Sequence, residues 1–340
     1  MSSSVPDWTS RGTVHAGSRC RPAPSISVII PVHNRWSTLG ECLGSLRVQR
    51  DIVPCEVIVV DDGSTEPASD AFIAEHVGTH VRILRQPHLG ISMARNHGIS
   101  VATGEILLCV DSDCRLDACC LRELAIAAIQ HPQDMAFQLH IAGDCSYLVG
   151  KAEHMWQSAN QAVFQQADGQ IRWLNTSGFA VRKASVAPSG HLFDRRAKRG
   201  EDNLLLVRLV KSGSMPRFVP NAIVTHCPRL RPLGYILKAF KTAVMATKAM
   251  SLMTSEGVNT RASRPERWSI MRLLWAQSCQ LPSGKAALML IGARYGMKSV
   301  GRAVSLVLRR MTKTVIPGDT MNTPIRASRD RGCESRTEKE

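Results

Sequence analysis

The sequence predicts an α/β protein built on an open, mostly parallel sheet with helices on both faces, followed by a basic helical region. Three observations carry this expectation. Short apolar, β-branched runs alternate with helical stretches along the first two thirds of the chain. Those runs end in Asn, Asp and Gly, residues that turn a chain at the end of a strand. The net charge of +15 gathers at the other end: residues 226–340 carry 21 Lys and Arg against 7 Asp and Glu, whereas residues 1–225 carry 22 against 21.

Taken in order, Ile26-Ser-Val-Ile-Ile-Pro-Val32 is a strand ending at His33-Asn34-Arg35, and a helix is expected from Ser37 to about Arg50. The strand Glu56-Val-Ile-Val-Val60 runs into Asp61-Asp62-Gly63-Ser64. A third strand, Val81-Arg-Ile-Leu84, precedes a helix across Ile91 to Ala102. Such alternation gives a parallel sheet whose strand carboxyl ends share one edge, where open α/β sheets bind ligands. Asn34, Asp61, Asp62, Asp111 and Asp113 would all lie there.

The run Glu105-Ile-Leu-Leu-Cys-Val110 delivers Asp111-Ser112-Asp113. Residues i and i+2 of an extended segment point the same way, so both carboxylates can reach one ligand. Hard oxygen donors of this kind suit Mg²⁺ or Mn²⁺ shared with substrate phosphates. Turn chemistry alone explains the same pattern.

The ordered series Ser27-Val-Ile-Ile-Pro-Val-His-Asn34, Val59-Val-Asp-Asp-Gly-Ser64, Gly90-Ile-Ser-Met-Ala-Arg-Asn96, Gly104-Glu-Ile-Leu-Leu-Cys-Val-Asp-Ser-Asp113 and Gly200-Glu-Asp202 resembles family 2 nucleotide-sugar glycosyltransferases. It covers roughly residues 25 to 226. The resemblance implies the Rossmann-like GT-A fold and an inverting transfer from a nucleotide-diphosphate sugar, a UDP-sugar first, to a hydroxyl acceptor. That acceptor is expected to be a saccharide or a lipid-linked precursor in polysaccharide biosynthesis. The resemblance also implies that Pro31, Asn34, Asp61 and Asp62 hold base and ribose, with Arg95 beside the nucleotide. Asp111 would reach ribose or metal, and Asp113 would bind a bridging Mn²⁺ or Mg²⁺.

Gly200-Glu201-Asp202 opens the periodic helix Asn203-Leu-Leu-Leu-Val-Arg-Leu-Val210. The resemblance makes Asp202 the general base and Glu201 an acceptor contact; favourable placement of acids at a helix start is a complete alternative. Asn175-Thr-Ser-Gly-Phe179 resembles the glycine loop on the acceptor side, so Ser177 and Gly178 are acceptor-side candidates, against a plain turn into strand Phe179 to Arg182. His226, ending Ile223-Val-Thr-His226, matches a metal-ligand position, against a structural histidine. Two departures stand out. His33 occupies a place where the family commonly has an aromatic residue, and Arg195 one where it has an acid. The run Arg195-Arg196-Ala197-Lys198-Arg199 is either a solvated loop or a site for an anionic acceptor.

Domains are expected as a disordered polar leader (1–24), a catalytic domain (25–226), a basic amphipathic helical appendage (227–312) and a polar tail (313–340). At 44% hydrophobic and 21% charged residues the chain is globular. The leader lacks the apolar core of a signal peptide, which leads to an expected cytoplasmic location. Eleven cysteines show no paired zinc spacing; Cys109, Cys114, Cys119 and Cys120 are expected to be reduced, buried thiols. In the appendage, helices are expected near Leu233 to Met253, Pro265 to Gln280 and Lys285 to Arg310. Arg294, Lys298 and Arg302 recur at i, i+4 and i+8, a basic stripe that suits the surface of an anionic membrane at its inner face, or a helix packed with its charges in water. No window is apolar enough to span.

Two other classes compete. A sugar-nucleotide pyrophosphorylase would share the core but needs a Gly-rich phosphate loop near the first strand, where Asn34 stands. A non-catalytic polyanion-binding or membrane-binding protein would act through the basic third, but only 5% of residues are aromatic, and nucleic acid is not the expected partner.

Overall fold

A strand that reads apolar at every position has to be covered on both faces, and β1 (Ile26–Val32) is buried along all seven residues. In a computed structural model that describes residues 22–51, 56–78, 80–187 and 190–314, its alternate side chains divide between two cores. Ile26, Val28, Ile30 and Val32 pack with α1 (Trp36–Arg47) and α4 (Cys120–Gln130); Ile29 packs on the other face with α3 (Ile91–Val101) and α6 (Glu201–Lys211). The expected leader and tail lie outside the described residues except for residues 22–24 and 313–314.

The sheet has eight strands in the order β3-β2-β1-β4-β7-β6-β8-β5. β2 (Glu56–Asp62), β3 (Val81–Gln86) and β4 (Ile106–Cys109) pair in parallel around β1, as the alternation predicts. Beyond them β7 (Phe179–Arg182) runs antiparallel to β4 and to β6 (Ala136–Gly143). β8 (Arg217–His226) is parallel to β6, and the three-residue β5 (Cys114–Leu116) lies antiparallel at the edge. The sequence reading did not single out β5, β6, α2 (Asp70–His76), α4 or α5 (Leu148–Phe164). Cys109, Cys114 and Cys120 are buried free thiols, while Cys119 is half-buried.

The carboxyl-terminal helices pack onto the α/β body. α7 (Pro232–Met245), α9 (Arg264–Gln280) and α10 (Gly284–Thr314) close a third apolar cluster against Val149, Ala152, Met155 and Ala159 of α5. The expected single helix from Leu233 to Met253 is broken at Ala246, after which α8 (Thr247–Ser255) begins. The basic stripe is corrected as well. Ala287, Ile291, Arg294, Lys298, Gly301 and Ser305 follow each other at alternating steps of four and three, which is the inward seam of α10. Arg294 and Lys298 therefore face the body of the protein, and of the three stripe residues only Arg302 is exposed. Among the described residues no helix is long and apolar enough to cross a membrane.

Candidate active site

β1, β2 and β4 end along one edge, and two adjoining cavities open there. The outer one, about 460 Å³, is lined by Pro31, His33, Arg35, Asp62, His88 and Asp113 among others. The inner one, about 200 Å³, reaches beneath the helices to Asn175, Ser177, Glu201, Asp202 and Lys298. Ile91, Asp111, Arg199, His226 and Lys238 line both, so they form the wall that the two share.

Strand register brings Asp113 to His226. β5 pairs with β8 so that Cys114 stands opposite His226, and Cys227 N–H donates to the Asp113 carbonyl at 2.8 Å. The Asp113 carboxylate lies 3.4 Å from His226 Nε2 and 2.6 Å from the Arg35 guanidinium. Burial pushes the Asp113 carboxyl up, but His226, Lys238 and Arg35 more than offset it and hold it well below the ordinary carboxylate range. Burial acts downward on His226, and the Asp113 charge overcomes it to raise its pKa. His226 Nδ1 is buried without a hydrogen-bond partner.

One carboxylate and one imidazole fit a divalent ion that takes its remaining ligands from a substrate, and not a closed protein cage. No group of three or more His, Cys, Asp and Glu able to hold a metal occurs among the described residues. Asp111, an expected third ligand, is otherwise engaged. Its Oδ1 accepts from Arg95 at 2.6 Å and its Oδ2 from the Ser177 hydroxyl at 2.8 Å.

Arg95 is neither a solvated helix residue nor a wall of the outer cavity. It is fully buried, lines the inner cavity, and bridges Asp111 to Glu201, whose Oε1 lies 2.8 Å from the guanidinium; Phe193 stacks against it at 5.4 Å. Burial works against its charge, but the two carboxylates raise its pKa. Glu201 is thus spent on Arg95, although it lines the inner cavity too. Gly200 takes the left-handed conformation (φ 78°) that turns the chain into α6 and leaves Asp202 in the first turn. Burial, reinforced by the Glu201 charge, pushes the Asp202 carboxyl up to about 6.

The remaining candidates divide. Pro31 lines the outer cavity, and Asp62 does so while accepting from Gln86 and from the Leu89 and Gly90 amides. Asn34 and Asp61 do not line it. Asn34, in a left-handed conformation (φ 56°), ties two loops by accepting from Thr65 and donating its amide to Ser64, while Asp61 turns inward to Ser64 and Arg85. Ser177 lines the inner cavity but Gly178 does not; a Cβ at Gly178 would come within 2.6 Å of Ile141, so packing requires its small size. Of the basic run, Arg196 is paired to Asp194 at 2.8 Å, whereas Lys198 and Arg199 reach the cavities. His88, stacked on His33 at 4.2 Å, and Lys238 were not foreseen. The positive charge of the appendage was visible in the sequence, but not the face on which Lys238 falls.

Residues 27–187 match the model of the family described as glycosyl transferase family 2. The chain is 32% identical over 316 residues to glycosyltransferase GlyA of Streptococcus pneumoniae, covering 80% of this chain and 44% of that protein. It is 29% identical over 225 residues to the pre-mycofactocin glycosyltransferase of Mycobacterium tuberculosis, covering 63% and 45%. The chain spans about a third to a half of the length of such relatives. Among solved structures it resembles the mannosyltransferase PcManGT from Pyrobaculum calidifontis in complex with GDP-Man and Mn²⁺, at 20% identity and a TM-score of 0.51, covering 92% of this chain and 85% of that one. A similar likeness, 19% identity and a TM-score of 0.50 over 84% and 92%, holds for Staphylococcus aureus TarS 1–349 in complex with UDP-GlcNAc. Residues 27–187 belong to glycosyl transferase family 2, and the chain has the GT-A fold.

Proposed function

We propose that this protein is an inverting glycosyltransferase that moves a sugar from a nucleotide-diphosphate sugar to a hydroxyl acceptor. The carrying observation is the shared wall: a metal-compatible pair, Asp113 and His226, stands at the outer cavity, and a carboxylate with raised pKa, Asp202, at the inner one. Nucleoside and diphosphate would occupy the outer cavity and the acceptor hydroxyl the inner one.

Asp113 and His226 would hold the Mn²⁺ or Mg²⁺, which supplies charge neutralisation for the departing diphosphate. Asp202 takes the proton of the acceptor hydroxyl as its oxygen attacks the anomeric carbon. The bond from that carbon to the diphosphate oxygen breaks on the opposite face, the diphosphate leaves with the electron pair, and the configuration inverts. Arg95 acts through others: it fixes Asp111 and Glu201, and so sets where β4 ends relative to where α6 begins.

The relatives' glycosyltransferase names favour this reading over a pyrophosphorylase or a non-catalytic polyanion binder. The acceptor is proposed to be a saccharide or lipid-linked precursor at the cytoplasmic face of a membrane. Support for the membrane comes from α9, where Trp268, Met271 and Trp275 share one exposed face beside exposed Arg264, Arg267 and Arg272.

The test is release of nucleoside diphosphate from a panel of UDP-, GDP- and dTDP-sugars with Mn²⁺ or Mg²⁺, for wild type, Asp113→Ala and Asp202→Ala. Metal-dependent turnover of one donor, lost in Asp113→Ala and severely reduced in Asp202→Ala, is expected. Absence of both turnover and metal-dependent nucleotide binding in wild type would defeat the reading.

A further inference from the structure

The charges around the inner cavity do not balance. Arg95 is matched by Asp111 and Glu201. Arg294, from α10, is matched by the buried Glu153 of α5 at 3.3 Å and donates to the Tyr235 hydroxyl of α7 at 2.9 Å. Arg199, Lys238 and Lys298 line the same cavity, and among the described residues none of them has an ion-pair partner. The one carboxylate there outside these pairs is Asp202. Across the whole lining five cations, Arg95, Arg199, Lys238, Arg294 and Lys298, face four carboxylates, Asp111, Glu153, Glu201 and Asp202, so the cavity carries an excess of one positive charge, gathered on the side of the unpaired Arg199, Lys238 and Lys298.

Other observations on the same wall point to a missing polar ligand. The ring and guanidinium nitrogens Arg95 Nε, His226 Nδ1 and Arg294 Nε are buried without hydrogen-bond partners, and all three residues line this cavity. Arg95 is fully buried. Unmet buried donors are costly, and a cluster of them beside unpaired cations is what an oxyanion would relieve. Burial pulls the Lys298 ammonium down to about 8, with Arg294 repelling it and Glu153 partly compensating. A bound anion would remove that penalty. Lys298 and Asp202 line the same cavity, so a ligand that Lys298 holds shares it with the proposed base.

We propose that the inner cavity is an acceptor subsite for a phosphate group: Lys298, with Arg199 and Lys238, holds a phosphate carried by the acceptor while the acceptor hydroxyl faces Asp202. This rests on the transferase reading and names the acceptor class that reading leaves open. The phosphate belongs to a phosphorylated saccharide or to a lipid phosphate.

The test is calorimetric titration of the full chain, first saturated with UDP and Mg²⁺ so that the donor side is filled. The probes are glucose, glucose 1-phosphate and a short-chain alkyl phosphate in detergent micelles. At least one phosphate probe is expected to bind where glucose does not. Lys298→Gln should weaken it about tenfold, the loss expected for one charge-assisted hydrogen bond, and Lys298→Arg should restore most of it. UDP affinity should be equal in all three proteins, which also reports correct folding. Tighter binding of the alkyl phosphate would identify a lipid source, and tighter binding of glucose 1-phosphate a saccharide. Equal binding of glucose and glucose 1-phosphate with none of the alkyl phosphate, no binding of either phosphate, or a Lys298→Gln defect confined to UDP would overturn the proposal. Failure of the transferase reading would appear separately, as a wild type that neither binds UDP with Mg²⁺ nor releases it from any donor; the phosphate titrations would then be run on the unliganded chain.

Discussion

The outer cavity and the inner cavity are built by opposite means. The outer one is made by strand ends: Pro31, Asp62, Asp111 and Asp113 stand where parallel pairing stops, and backbone register fixes their spacing. The inner one is made by helices arriving from residues far apart in sequence, with α5, α6 and α10 each contributing two residues and α7 four. A strand-end site tolerates little change in the backbone but is written locally. A site between helices is written in side-chain pairings, and its charges are set by what lies across the seam.

The sharpest way to break that contrast is at Arg95, which lines the inner cavity and ties it to Asp111 in the wall that the two cavities share. Arg95→Met strands Asp111 and Glu201 without their shared cation, and should cost about 3–5 kcal/mol, read as a lowered midpoint in urea unfolding. An unchanged midpoint would mean that the two halves are held together by packing alone.

Asp202→Asn should lower kcat about a thousandfold, the scale of a lost general base, while leaving donor affinity in place. The pH dependence carries its sign. The base must be ionised, so turnover should rise with pH through about 6 and not through 4. Because its folded pKa lies above the ordinary 3.8, the ionised carboxylate burdens the folded state at neutral pH. Asp202→Asn should therefore melt higher than wild type at pH 7.5, with the gain shrinking as pH falls through 6 and vanishing below about 4. A wild-type profile flat between pH 5 and 8 would remove Asp202 from the role.

At the helical side, Glu153→Gln leaves Arg294 without its counter-charge and should cost about 3 kcal/mol, the low end for breaking a buried pair. The smallest expected effect is at α9. Trp268→Ala and Trp275→Ala remove exposed side chains and should move stability by no more than about 0.5 kcal/mol. The double variant should nonetheless lose partition onto anionic vesicles at low salt, and wild-type partition equal on neutral and anionic vesicles would sink the electrostatic part of the membrane reading.

The same contrast explains what could be read in advance. β1, β2 and β7 were legible because apolar β-branched runs can be only so arranged, and the Asp111–Asp113 turn followed from where a strand had to stop. Arg95 was found as a candidate by motif order, but its burial between two acids depends on a contact 106 residues away. The α10 stripe misled for a physical reason. Periodicity reports which residues share a face, whereas Glu153 and the cavity decide that this charged face points inward. Asn34 and Asp61 look like ligand groups in a list of strand ends, yet their side chains are consumed in closing the turns that carry them. β5 is three residues long and too short for a pattern, although it delivers Asp113 to His226.

That small strand has a consequence for the order in which the protein acquires its chemistry. Asp113 and His226 meet only through the pairing of β5 with β8, a closure spanning more than a hundred residues. Loops of that length close late and slowly compared with local helices and neighbouring strands. A nascent chain can assemble β1 to β4 and their helices well before it owns a cation-holding pair. Until β8 arrives, β6 and β5 each present an unpaired edge to any strand that comes by. β8 thus completes the Asp113–His226 pair and covers the β6 edge in one step, so premature termination before His226 would cost solubility as well as activity.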